Sequence, residues 1–196
     1  MKQVGCTAEL WLVRHGRTRW NRERRYQGHS DPALLDGEAS GLDEPKRELE
    51  GVSFTSVYCS DLLRCRQTLA RVRPDLLGEA VYDPRLREMN FGQWEGQTYE
   101  MLKEDPHYRA WIDDPMSWTP PEGEAWAQFH QRVSHVYEEW LGLAERCCLA
   151  GSREQRILAV THGGVISLVS MLQHSGAGFW DTHIAAGGIL RLKLER

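Results

Sequence analysis

Residues 10–20 read LWLVRHGRTRW, and the fold turns on how this run ends. Leu10, Trp11, Leu12 and Val13 form an unbroken apolar stretch with no polar alternation, the pattern of a strand buried on both faces. The stretch stops on Arg14 and His15, and Gly16 follows at once. ILAVTHGG, residues 157–164, repeats the device with an apolar run, then His162, then two glycines. Strands are expected at 9–15, 55–60, 80–83, 157–161 and 188–194.

Helical patterns fall between them, at 61–72 behind Ser60 as an N-cap, at 97–111, at 123–147 and at 163–173. In the longest, Trp126, Phe129, Val133, Val136, Tyr137, Trp140, Leu141 and Ala144 recur at three- and four-residue spacing, which reads as core packing. Gly41 and Pro45 break or shorten any helix within 36–50. Alternating strands and helices imply an α/β protein, a three-layer α/β/α sandwich around a mostly parallel central sheet. Its 196 residues fit one domain spanning 1–196. Ligands of such sheets bind beyond the carboxyl ends of the strands, where Arg14, His15 and His162 stand.

Bulk properties narrow the partners. With 41% hydrophobic and 27% charged residues the chain reads as globular. A net charge of −4 argues against a nucleic-acid partner, which demands a basic face. No apolar run is long enough to span a bilayer, so no membrane partner is expected. MKQVGCTAEL lacks the pattern of a secretory leader, so a cytoplasmic location is expected. The five cysteines (Cys6, Cys59, Cys65, Cys147 and Cys148) show no CxxC spacing and read as reduced thiols rather than a disulfide framework or a zinc site. No cofactor and no metal site are expected, and the assembly is read as a monomer or homodimer.

Arg14 and His15, Arg64 in CSDLLRCRQT, Glu88 in LREMNFGQWEG and His162 in THGG make a chemically coherent set. Guanidinium groups pair bidentately with phosphate, which suits Arg14 and Arg64 to clamp a phosphoryl group. Fixed positive charge lowers a histidine pKa and keeps the imidazole neutral and nucleophilic. A glutamate beside a bound phosphate dianion shifts the other way and can donate a proton to a leaving alcohol.

LVRHGRTRWNRERRYQGHSD resembles the first motif of the histidine phosphatase superfamily, also called phosphoglycerate mutase-like, at Arg14, His15, Gly16, Thr18, Trp20, Asn21, Arg25, Gln27, Gly28 and Asp31. YCSDLLRCRQT, LREMNFGQWEGQT, PPEGEAWAQFHQRV and VTHGG are similar to that family's later motifs and stand in its order. The chain departs from the pattern at Arg17, where many members carry glutamate, in DPALLDGEASG, and at Ala125, where serine is usual.

The resemblance implies a metal-independent phosphatase acting on a small-molecule phosphate monoester. His15 would be the nucleophile, Arg14 and Arg64 would hold the phosphoryl oxygens, and His162 would donate to the same group. Asn21 would add a phosphate contact, Gln27 and Gly28 would border the pocket, and Glu88 would serve as acid, then base. Phosphoglycerate mutases of the family are longer and carry an ERHYG-type stretch, absent from REMNFGQWEG, which favours a phosphatase over a mutase. A relative that only binds phosphorylated ligands is the reading of another class, and intact His15 and Glu88 oppose it.

Other residues carry ordinary structural expectations. His29, His107, His130, His135, His174 and His183 are read as hydrogen-bonded histidines, not metal ligands. Trp94 and Trp118 are read as packing, with an apolar leaving-group pocket as the alternative. Arg17 either meets a second anionic group of the substrate or pairs with an acid such as Glu23.

Overall fold

A computed structural model describes residues 7–149 and 154–194, without the side chains of Cys147 and Cys148. The expectations for Cys6, Cys147 and Cys148 lie outside the described residues, as do both termini. Cys59 and Cys65 are free and buried.

The strands are β1 (Thr7–Arg14), β2 (Ser56–Cys59), β3 (Val81–Tyr82), β4 (Glu154–Thr161) and β5 (Ile189–Lys193). They form one sheet in the order β3-β2-β4-β1-β5, parallel throughout except for β5, which runs antiparallel along the edge of β1. β1 and β4 are central and pair Leu10 with Ile157 and Arg14 with Thr161, so the polar residues after both strands emerge side by side.

Among the described residues the α-helices are seven: α1 (Arg19–Arg22), α2 (Asp43–Leu49), α3 (Leu63–Val72), α4 (Tyr99–Leu102), α5 (Pro106–Asp113), α6 (Trp126–Leu149) and α7 (Gly163–Gln173). Side chains alternate across the sheet. Leu10, Leu12, Ile157 and Ala159 pack with Phe129, Val133 and Trp140 of α6 and Val165 and Val169 of α7. Trp11, Val13, Leu158 and Val160 pack with Leu49 of α2 and Cys65, Leu69 and Val72 of α3. Both faces are therefore covered, and the three-layer sandwich follows directly from unalternated apolar runs in β1 and β4. Full burial of one such leucine is worth about 1.5–3 kcal/mol. A satellite cluster of Trp94, Leu102, Tyr108 and Trp111 lies outside the sheet and is packed by Tyr26 and Phe91.

Several local expectations need correction. The segment 97–111 is two helices, because Asp105 caps a new start and Pro106 occupies its first turn. Ser60 does not cap α3, whose cap position is Leu62; the carboxylate of Asp31 accepts the Leu63 N–H instead (2.8 and 2.9 Å). The one-turn helix α1 was not expected; Thr18 and Asn21 close a capping box around it. Residues 36–50 break as expected, into a 3₁₀ turn at Gly37–Ser40 and α2, with Gly41 at φ 70° between them.

Candidate active site

β1 delivers His15 to the centre of the site. Its N–H extends the ladder to Thr161 O (2.9 Å), and its ring is buried. Nδ1 lies 2.7 Å from Gly16 O, and a carbonyl can only accept, so Nδ1 carries the proton and Nε2 keeps a free lone pair. Burial, then the charges of Arg64 and Arg14, hold the His15 pKa well below 6.5. A neutral imidazole with one nitrogen tied back is a nucleophile ready for use.

His162 stacks edge-on against it with ring centroids 5.1 Å apart. Arg64 Nη2 donates to His162 Nδ1 (3.1 Å), which fixes the opposite tautomer: Nε2 carries the proton and donates to Ser60 Oγ (2.9 Å). Burial, then Arg64 and His15, lower this pKa as well. As placed, His162 steadies Arg64 from beneath, and its N–H is spent on Ser60.

Arg64 leaves the first turn of α3 and is 0% exposed. Its guanidinium donates to Ser30 O (2.8 Å) and Gly28 O (2.7 Å), while Nε has no partner. Arg14 donates to Ile184 O (2.5 Å), and its Nε is likewise buried without a partner. Gln27 Oε1 accepts from Thr18 Oγ1 (2.6 Å), leaving a buried amide Nε2 unmatched. Buried donors without acceptors are rare in folded proteins. Trp111, Trp140 and Gln155 also carry buried unmatched atoms, and of the expected phosphate-binding residues with unpartnered donors Arg14 and Gln27 line the cleft at His15, where an anion could meet them.

Glu88 follows the 3₁₀ turn Pro84–Leu86 and lies over the start of α7. Its Oε2 accepts from Gly164 N (2.9 Å) and its Oε1 from Met89 N (3.0 Å). The paired glycines of THGG are explained here: a Cβ on Gly163 would crowd the Arg14 guanidinium (3.2 Å to Cζ), and one on Gly164 would overlap the Glu88 carboxylate.

The structure thus gathers Arg14, His15, Glu88, Asn21 and Gln27 around one cleft of 570 Å³, with Arg64 and His162 buried beneath His15. Asn21 accepts from the Thr18 N–H (3.0 Å) and also lines the cleft. Gly28 serves through its carbonyl on Arg64. Among the described residues no three His, Cys, Asp or Glu side chains gather to hold a metal ion.

Aromatic residues form the cleft's outer wall. Tyr26, Phe91, Trp111, Trp126, Phe179 and Trp180 line it, and Trp180 is 69% exposed at the lip. Trp94 is buried in the satellite cluster and Trp118 packs against His107, so neither lines the cleft. Trp126, in the first turn of α6, packs against the main core as its stripe implies and also meets Phe179 at the cleft (4.9 Å between centroids). His183 also lines the cleft, and His29 Nε2 donates to Glu88 O (3.1 Å). Glu23 is taken by Arg19 (2.6 Å) and Arg25 (2.5 Å); Arg17 makes no ion pair with it and lines a groove beside Arg14.

The two lowered histidine pKa values carry a stability prediction. Below pH 6.5 the unfolded chain binds protons that native His15 and His162 refuse, so their stabilising contribution is complete above pH 6.5 and lost as pH falls. Each contributes a slope of about 1.4 kcal/mol per pH unit in that window. Urea unfolding between pH 7 and pH 5 is expected to show this fall and His162→Gln to reduce it. An unchanged slope in the variant would contradict a neutral His162 in the folded protein.

Comparison with known proteins places this geometry. Residues 10–196 match the model of the histidine phosphatase superfamily (branch 1). The chain is 36% identical over 165 residues to the adenosylcobalamin/alpha-ribazole phosphatase of Escherichia coli K12, covering 82% of this chain and 76% of that protein. It is 33% identical over 164 residues to an Erwinia tasmaniensis protein named "Probable phosphoglycerate mutase GpmB", covering 82% and 72%. The crystal structure of the alpha-ribazole phosphatase from Shigella flexneri superposes with a TM-score of 0.74 at 31% identity, covering 93% of this chain and 89% of that one. Fold, strand-end histidines and sequence agree, and this chain belongs to the histidine phosphatase superfamily.

Proposed function

We propose that the protein is a metal-independent phosphomonoester hydrolase working through a phosphohistidine on His15. The observation that carries this reading is the His15 imidazole, tied back through Nδ1 to Gly16 O with Nε2 free, in a cleft that Arg14 and Glu88 also line. His15 Nε2 attacks phosphorus, the bond to the leaving oxygen breaks, and Glu88 gives that oxygen its proton. Water then attacks the phosphohistidine, the P–N bond breaks, and Glu88 takes the water's proton. Arg14, Arg64 and the Gln27 amide meet the developing charge with fixed donors, and Asn21 borders the same oxygens.

The aromatic wall favours a flat, apolar leaving group. Alpha-ribazole 5′-phosphate carries one, and LREMNFGQWEG with the tryptophan-bearing loop after it is similar to the corresponding part of alpha-ribazole phosphatase. The substrate reading is therefore that ester, in a cytoplasmic single-domain enzyme. Steady-state assays in chelator are expected to give a higher kcat/KM for alpha-ribazole 5′-phosphate than for 3-phosphoglycerate or sugar phosphates. Equal values would remove the narrower substrate, and phosphoryl return to 3-phosphoglycerate without phosphate release would favour a mutase.

A further inference from the structure

The strap that carries Glu88 is held by one side chain from α6. Residues 87–90 have no regular secondary structure, so their carbonyls need partners from elsewhere. Arg132 supplies two of these partners and one for the turn before: Nη1 donates to Arg87 O (2.6 Å) and to Arg85 O (2.7 Å), and Nη2 donates to Glu88 O (2.9 Å). Its remaining donors go to Glu124, Nε to Oε1 (2.7 Å) and Nη2 to Oε2 (2.8 Å). All five N–H groups of the guanidinium are thereby used. Glu124 is itself tied to the strap, since Asn90 N donates to its Oε2 (3.2 Å) and its own N–H donates to Asn90 O (2.8 Å).

This arrangement fixes Glu88 from both ends. Behind, Arg132 and His29 hold its carbonyl; in front, Gly164 N holds its carboxylate. Thr161, the last residue of β4, takes the intervening Leu86 O (2.8 Å), which ties the strap to the strand that ends at His162. The ion pair is largely enclosed, with side chains 17% and 12% exposed, so removing one member leaves the other charge desolvated. Arg132 does not line the catalytic cleft; it faces a separate polar cavity of 590 Å³ behind the strap, with Glu124, His29 and His135.

We propose that Arg132, with Glu124 as its counter-ion, is a positioning residue that sets the Glu88 carboxylate at the leaving oxygen. The proposal rests on Glu88 acting as the acid. Its distinguishing consequence concerns the leaving group, because a displaced acid matters most where the departing oxygen is strongly basic, whereas general damage lowers every rate alike.

The test compares kcat/KM for p-nitrophenyl phosphate and for an alkyl phosphate in wild type, Arg132→Lys, Glu124→Gln, Glu88→Gln and the Glu88→Gln double variants. Arg132→Lys keeps the charge but not the five-way geometry, and Glu124→Gln is a second, milder route if the lysine variant folds poorly. Either is expected to lose about tenfold or more on the alkyl ester and under about threefold on the nitrophenyl ester. In the Glu88→Gln background neither should cost more on the alkyl ester, because the acid they position is gone. Equal losses on the two esters, or full additivity with Glu88→Gln, would overturn the proposal. If Glu88→Gln alone shows no dependence on the leaving group, the acid assignment fails, and the positioning role with it.

Discussion

His15→Ala is expected to abolish hydrolysis of p-nitrophenyl phosphate, with kcat falling by about 10⁴-fold or more. The size follows from the site's economy of parts. His162 is the other imidazole at the centre, yet its Nδ1 accepts from Arg64 and its Nε2 donates to Ser60, so it has no lone pair to offer in place of His15. The arginine donors are unchanged in the variant, so phosphate binding should survive the loss of turnover. Isothermal titration with inorganic phosphate checks that half of the prediction. Retained activity in His15→Ala would sink the covalent route, whereas lost binding together with lost activity would point to collapse of the pocket.

The second large effect belongs to Glu88. Glu88→Gln keeps the size of the side chain but can neither give nor take the proton that the proposed mechanism assigns to Glu88. The expected loss in kcat/KM is about 10²–10⁴-fold on an alkyl phosphate and much smaller on p-nitrophenyl phosphate, whose leaving oxygen needs little help. The glutamine carbonyl can still accept from Gly164 N, but its amide nitrogen cannot accept from Met89 N, so the loss of that bond is expected to cost about 1 kcal/mol of stability. Equal losses on both esters would show that Glu88 contributes charge or shape rather than a proton.

How much of this was legible in the sequence varies with the range of the interactions involved. β1 and β4 were plain because strands buried on both faces read as unbroken apolar runs, and the histidines after them stood out for the same reason. Arg64 and Glu88 fitted the chemistry of the set, but singly an arginine in a helix and a glutamate in a loop have ordinary surface roles, and the family resemblance is what set them apart. That Trp126 also borders the cleft was not legible, because a helical stripe records which face is apolar, not where along the helix the core gives way to a cleft.

Other misses were long-range. Ser60 looked like an N-cap, but its hydroxyl is spent on His162 and the capping acceptor comes from Asp31, well upstream. Pro106 lies where a continuous helix was expected, and the new start it marks shows only when Asp105 is seen accepting from His107 N (2.8 Å). Arg132 sits in HQRV like many exposed helix arginines, and only the folded strap and the turn before it supply the three carbonyls that give it a role.

The central claim is that the phosphoryl group passes through His15 Nε2. Rapid mixing with substrate, quenching in base to preserve a phosphorus–nitrogen bond, and peptide mass spectrometry test it most directly. One phosphoryl group is expected on the peptide containing His15, accumulating before steady state and absent from His15→Ala. A fully active enzyme whose quenched peptides carry no phosphoryl group, or carry it on His162, would contradict it.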